Sequence, residues 1–144
     1  YLPEDPADLW HTISFPVKKV SDHPLRMQAV LNPGANCTAD ASLLLPALTH
    51  YCTIYSTVNW SLISLRLDTG RTHQIRVHMA SIGHPLLGDA VYGPKKCPVK
   101  NLQGQTLHAM VLGFIHPRTG AYMEFEAPLP EYFSNLLLQF RKNV

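Results

Sequence analysis

The hydrophobic and polar positions of the 144-residue chain change period several times, and each change predicts an element. His11 to Lys18 alternates through Ile13, Phe15 and Val17 and predicts a strand interrupted at Pro16, hence an edge strand, because proline cannot donate to a ladder. Ser21 to Pro24 is a turn cluster, and Asn32 to Asp40 is a loop by composition. Thr49 to Val58 sets Thr49, Tyr51, Thr53 and Tyr55 against Cys52, Ile54 and Val58; its β-branched and aromatic content predicts a strand. After a turn at Asn59, Ser61 to Asp68 alternates Ile63, Leu65 and Leu67 with Ser64, Arg66 and Asp68. That predicts a second, half-buried strand, hairpin-paired with the first.

Thr69-Gly70 ends this alternation, and the period becomes helical. Ile75, Met79 and Ile82 recur at i, i+4 and i+7, Thr72 is a candidate N-cap, and Gly83 with Pro85 supplies the stop, so the spacing predicts a helix over 72–82. HPLLGDAVYGP, residues 84–94, is a compact Gly/Pro loop, followed by a polar stretch to Gln105. Leu107 to Ile115 predicts a strand buried on both faces. HPRTG, residues 116–120, predicts a tight turn, and Tyr122 to Glu126 a return strand with Met123 and Phe125 inward. Pro130 opens a helix of about three turns to Lys142 that buries Phe133, Leu136 and Phe140. The sum is an α+β fold with a mixed, mostly antiparallel sheet and a few helices, with no internal repeat and no second domain within 1–144.

Composition narrows the class. With 46% hydrophobic and 15% charged residues the chain has a core, and 12 prolines favour a loop-rich mixed fold over a helix bundle. A net charge of +2 and eight histidines permit an anionic partner without requiring one. Cys37, Cys52 and Cys97 form an odd set without CxxC spacing, which points to reduced thiols in a cytoplasmic protein. The longest apolar run, Leu43 to Leu48, contains Pro46 and falls far short of the ~18 residues of a membrane span. No signal-peptide pattern opens the chain, and a start at Tyr1 instead of Met leads us to expect further sequence upstream.

The chemistry concentrates in LRLDTGRTHQIRVH, Leu65 to His78. Arg76 lies about 100° around the helix from Ile75, on the border of the apolar stripe. It could reach a cleft or lay its stem on apolar neighbours with its head in water, and periodicity alone favours the second. His73 and His78 point about 140° apart, which excludes the i, i+4 pair of a zincin helix and leaves a weak case for metal. Nothing in spacing supports a triad from His108, Ser81 and Asp89, and G-x-S-x-G is absent. Arg71 beside the first-turn N–H groups forms a candidate phosphate-binding corner. Lys95, Lys96 and Lys100 add positive charge in the following loop, although such a cluster is usually a solvated surface.

TGRTHQIRVHMASIGHPLLGDAVYG, residues 69–93, closely resembles the signature of the RluA class of RNA pseudouridine synthases. ALTHY at 47–51, LHAMVLGFIHP at 107–117 and the closing AYMEFEAPLPEYFSNLL fit the same family, so the resemblance spans roughly residues 11 to 142. It implies isomerisation of uridine to pseudouridine in ribosomal or transfer RNA, without metal or organic cofactor. The uridine is flipped into a pocket, a carboxylate assists glycosidic cleavage, the freed uracil turns, and C5 joins the ribose. The family carries that carboxylate in H-R-L-D-x-x-T-S-G, which does not occur here. Arg66-Leu67-Asp68-Thr69 imitates part of it without the His or the T-S-G, so Asp68 is expected to be a strand-end residue facing solvent or accepting from the Thr-Gly turn.

By the same resemblance Arg76 matches the arginine that pairs with the catalytic aspartate, which reverses the preference for a snorkelling side chain. Its partner is expected from outside this chain. Leu107 matches an apolar residue that contacts the target base, and Arg71, Thr72, His73 and Gln74 match residues that shape the turn and helix start beside the pocket. The family's pocket tyrosine belongs to another upstream motif, and residues 32–45 match no family motif. The resemblance therefore implies the C-terminal half of a pseudouridine synthase catalytic domain, with RNA and the missing N-terminal half of the domain as partners, no membrane, and no activity alone. The rival reading is a non-catalytic RNA-binding relic of the same fold.

Overall fold

A computed structural model describes residues 9–21, 23, 25–31, 43–102 and 104–142. The opening residues 1–8, Cys37 and most of the 32–45 loop lie outside the described residues. The chain divides into two compact units, Tyr1–Gln105 and Thr106–Val144.

In the first unit Pro16 divides the predicted edge strand into β1 (His11–Ile13) and β2 (Val17–Lys19). The two halves join different sheets. β1 pairs antiparallel with β4 (Thr49–Ser56), which forms the expected hairpin with β5 (Ser61–Leu67), giving a three-stranded sheet in the order β1-β4-β5. β2 pairs with β3 (Met27–Ala29), a strand the sequence pattern does not pick out, because three residues are too few to show a period. The turn between them is closed by hydrogen bonds from Val20 N–H to Arg26 O, 2.9 Å, and from Arg26 N–H to His23 O, 3.0 Å. The core joins Val17 and Met27 of this ribbon to Ala47 and to Val77 of the following helix, with Ala29 and Tyr92 packed against it.

The helix is α1 (Gln74–Ser81). Its stop is as expected: Gly83 takes φ 86°, its N–H reaches Ala80 O, and the N–H of His84 reaches Met79 O at 2.9 Å, a Schellman motif that requires the left-handed conformation glycine adopts freely. Its start differs. Thr72 is exposed and caps nothing; His73 precedes the first turn at φ 55°, ψ 19°, without a side-chain cap. The buried face differs too. Gln74, Val77, His78 and Met79 are buried, whereas Ile75 and Ile82 are only half-buried.

The second unit contains the expected hairpin of β6 (Val111–Ile115) and β7 (Tyr122–Glu126), then α2 (Glu131–Lys142), whose Phe133 and Leu136 are buried and whose Phe140 is half-buried. The turn is built on His116: Nδ1 accepts from the N–H groups of Arg118 and Thr119, and Gly120 sits at φ 70°. Three expectations are corrected here. The strand starts at Val111, leaving Leu107 ahead of it, and it is not buried: Leu112 is 61% and Ile115 68% exposed. Phe125, expected inward, is exposed and stacks on Phe114 at 5.9 Å. Among the described residues β6 and β7 pair only with each other, and a sheet face is buried only where another layer packs on it, which alternation along a strand does not supply. Among the described residues the fold is thus α+β, as expected, antiparallel in every named pairing and arranged in three small sheets.

Candidate functional site

The site grows from the turn that follows β5 and the helix it feeds. Gln74, the first residue of α1, is buried, and each end of its amide is used. Oε1 accepts from the Thr69 hydroxyl at 2.8 Å and the Arg71 N–H at 3.0 Å; Nε2 donates to Leu48 O and to Thr49 Oγ1, both at 3.0 Å. Thr69 Oγ1 also accepts the Leu48 N–H at 2.9 Å. One amide therefore locks the TGR turn onto the start of β4. One turn on, His78 lies at 2.9 Å from Thr49 Oγ1 through Nδ1 and at 2.8 Å from Phe15 O through Nε2. A carbonyl only accepts, so Nε2 carries the proton and Nδ1 accepts from the Thr49 hydroxyl, which in turn accepts from Gln74. Burial lowers the His78 pKa from its ordinary value and outweighs the Phe15 carbonyl, which favours the charged ring. Both ring nitrogens are thus occupied inside the core.

Arg76 faces a different partner set. Nε and Nη2 form a fork with Asp89 Oδ2 and Oδ1, each at 2.7 Å, and its Cζ lies 5.0 Å from the centre of the Tyr92 ring. The Arg76 side chain is 12% exposed and that of Asp89 is closed to solvent at 0%. Arg76 therefore does not snorkel. The carboxylate on its side-on edge comes from within the chain, a residue that periodicity does not pick out. The available signal was a carboxylate in the Gly-flanked turn GDAVYG, 13 residues beyond the arginine.

That turn is built to hold Asp89. Oδ1 also accepts the N–H groups of Val91 at 2.9 Å and Tyr92 at 3.0 Å, and Gly93 N–H bonds Asp89 O at 2.9 Å. A Cβ on Gly93 would collide with that carbonyl, which explains the glycine. Burial of the Asp89 carboxyl opposes its ionisation, but the Arg76 fork and the two backbone N–H groups outweigh it and hold the pKa at about 2. Tyr92 continues the network. Its hydroxyl accepts the Met27 N–H at 2.8 Å and lies 3.0 Å from His73 Nδ1, whose pKa is lowered by burial and then by the Arg76 charge, against Asp89.

The remaining predicted residues are placed as follows. Arg71 is exposed and donates through Nε to Pro46 O at 3.0 Å, so part of its guanidinium ties the turn to the chain ahead of β4. Lys95, Lys96 and Lys100 are exposed. Leu107 belongs to the second unit and is half-buried. Asp68 is 52% exposed and, instead of the Thr-Gly turn, engages His50 Nε2 at 3.1 Å; His50 Nδ1 meets Thr12 Oγ1 at 2.9 Å. Cys52 and Cys97 are free thiols. No helix among the described residues is long and apolar enough to cross a membrane.

No model of a protein family matches the chain. Individual proteins do. A Bacillus subtilis protein named as an uncharacterized RNA pseudouridine synthase is 55% identical over 97 residues, covering 67% of this chain and 31% of that protein. A Chloroflexus aurantiacus protein named as an uncharacterized RNA pseudouridine synthase is 47% identical over 96 residues, 67% of this chain and 30% of its own length. Ribosomal large subunit pseudouridine synthase D of Haemophilus influenzae is 50% identical over 103 residues, 64% of this chain and 32% of that one. Among solved structures, human RNA pseudouridylate synthase domain containing 4 shares the fold, with a TM-score of 0.67 at 23% identity over 94% of this chain and 58% of the human one. The chain thus spans about a third of the length of the relatives it matches, and by sequence and fold it belongs to the RluA class of RNA pseudouridine synthases.

Proposed function

We propose that the protein to which these residues belong isomerises uridine to pseudouridine in ribosomal or transfer RNA, in the cytoplasm, and that the 144 residues are the C-terminal part of its catalytic domain. The observation that carries the reading is the 55% identity, over 97 residues, to a protein named as an RNA pseudouridine synthase. In this reading a nucleophilic aspartate from outside the chain assists glycosidic cleavage, and Arg76 keeps it ionised in a partly desolvated pocket. Leu107 contacts the flipped base. Arg71, Thr72, His73 and Gln74 shape the pocket wall, and Lys95, Lys96 and Lys100 contact phosphates.

The geometry supports a nucleophile other than Asp89. A carboxylate that attacks a ribose must bring a lone pair to the substrate. Asp89 is closed to solvent, and its oxygens together accept four hydrogen bonds. Asp68, the other acid near the motif, is tied to His50. The exposed apolar hairpin β6–β7 further supports a domain completed by residues beyond these.

One observation favours the rival reading, a non-catalytic RNA-binding relic: Arg76 has a carboxylate partner without any nucleophile. The experiment that separates the two compares the full-length protein with residues 1–144 on RNA isolated from cells lacking the gene, read by mass mapping of pseudouridine. Catalysis by the full-length protein and none by the fragment is expected. A full-length protein that binds this RNA and forms no pseudouridine establishes the relic.

A further inference from the structure

An arginine that meets a carboxylate through Nε and Nη2 uses only its side-on edge. A guanidinium has five N–H donors in a rigid plane, and the parallel pair at the tip, on Nη1 and Nη2, lies on a different edge. Arg76 is bound in the side-on way: Nε to Asp89 Oδ2 and Nη2 to Asp89 Oδ1, each at 2.7 Å. The Arg76 Cζ also lies over the Tyr92 ring, 5.0 Å from its centre, a cation–π contact that adds a second hold on the group.

The holder is itself held. The side chain of Asp89 is fully enclosed, and Oδ1 takes the N–H groups of Val91 and Tyr92. Its own N–H bonds Leu86 O at 3.2 Å, and Gly93 N–H closes the turn on its carbonyl. Tyr92 is anchored in turn through Met27 N–H and His73. Such rigidity exceeds what a simple surface ion pair requires, because exposed pairs stabilise a fold by little. It is the arrangement expected where a charged group must stand in one orientation before its partner arrives.

We propose that Asp89 is a positioning residue: it grips the side-on edge of Arg76 so that the end-on edge is presented to a second anion, the nucleophilic carboxylate. The inference rests on the pseudouridine synthase reading, since only that reading supplies the second anion. It also has an opposite. If Asp89 merely competed for the arginine, removing it would strengthen the hold of Arg76 on the nucleophile and lower that acid's pKa. If Asp89 positions Arg76, removing it loosens the hold and raises that pKa.

The test uses the full-length protein and RNA from cells lacking the gene, with kcat and KM measured across pH by mass mapping. Two variants are compared. Asp89→Asn keeps the shape but turns an N–H toward the guanidinium. Asp89→Ser keeps an oxygen for the Val91 and Tyr92 N–H groups and cannot reach Arg76, so it decides the matter should Asp89→Asn fail to fold. For the folded fraction, judged by circular dichroism, kcat is expected to fall about 100-fold, as misplacement of a reacting group by about 1 Å would cause. KM should stay within about threefold, and the acid limb of the kcat profile should move to higher pH. Adding Arg76→Lys to either variant should cost little more, because the two side chains act as one unit. Unchanged kcat in the folded variants, or an acid limb that moves to lower pH, overturns the positioning role while the proposed function stands. A wild-type protein that forms no pseudouridine overturns both.

Discussion

Thr49 is the hinge of the polar network under α1, and two substitutions separate its hydroxyl from its methyl. Its side chain is fully buried; Oγ1 accepts from Gln74 Nε2 and donates to His78 Nδ1. Thr49→Val keeps the volume and removes the hydroxyl. Gln74 Nε2 still has Leu48 O, but His78 Nδ1 is left without its donor, and an unsatisfied buried acceptor costs about 1–3 kcal/mol. Thr49→Ser keeps both hydrogen bonds and loses one buried methyl, a change of the size of Ile to Val at about 0.5–1.5 kcal/mol. The expected order is therefore wild type, then Ser, then Val, with Val near ~2 kcal/mol and Ser near ~1 kcal/mol below wild type. Urea unfolding of the full-length protein, followed by circular dichroism, measures both through the midpoint at unchanged slope. A Val variant at least as stable as the Ser variant would refute the assignment of Thr49 as donor to a neutral His78.

His78 is held below its ordinary value of 6.5 by burial, so between its folded pKa and 6.5 the unfolded chain binds more protons. Stability is full above pH 6.5 and declines as the pH falls below it, and His78→Gln should flatten that decline in urea midpoints taken from about pH 7.5 to 5. Gly93→Ala drives a methyl into Asp89 O and should cost about 2 kcal/mol in the same assay, as overpacking does; a loss within error would mean that the turn is free to open. Arg76→Lys in the full-length protein forfeits the paired fork and should lower kcat at least about tenfold while RNA affinity stays within about threefold; equal losses in both count against the pairing role. Replacing Lys95, Lys96 and Lys100 together by Ala should make the salt dependence of RNA binding shallower by about 0.7 for each phosphate no longer neutralised, and an unchanged slope removes these lysines from the interface.

Local signals were legible from the pattern of residues. The β4–β5 hairpin followed from period-two alternation, the β6–β7 turn from HPRTG, and the end of α1 from Gly83, where one residue's φ decides the outcome. The TGRTHQIR block identified the family because its residues are consecutive in the chain. The sequence pattern was misleading where an element's surroundings mattered more than its own order. It favoured Ile75, Met79 and Ile82 as the buried stripe of α1. The fold instead buries Gln74 and His78 with Val77 and Met79, because Leu48 O, Thr49 Oγ1 and Phe15 O, supplied from 25 to 63 residues away, satisfy their polar atoms. The stripe of β6 was legible, but not that its ribbon would stand exposed.

The same division runs through the site. The sequence by itself determined that Arg76 stands on a helix after a Gly-terminated turn, since periodicity and capping act within a few residues. Only the tertiary structure decided that its side-on edge belongs to Asp89 and that its charge lies over the Tyr92 ring. An ion pair forms wherever the folded backbone brings donor and acceptor within reach, and the distance between two side chains in space is not written in their spacing along the chain.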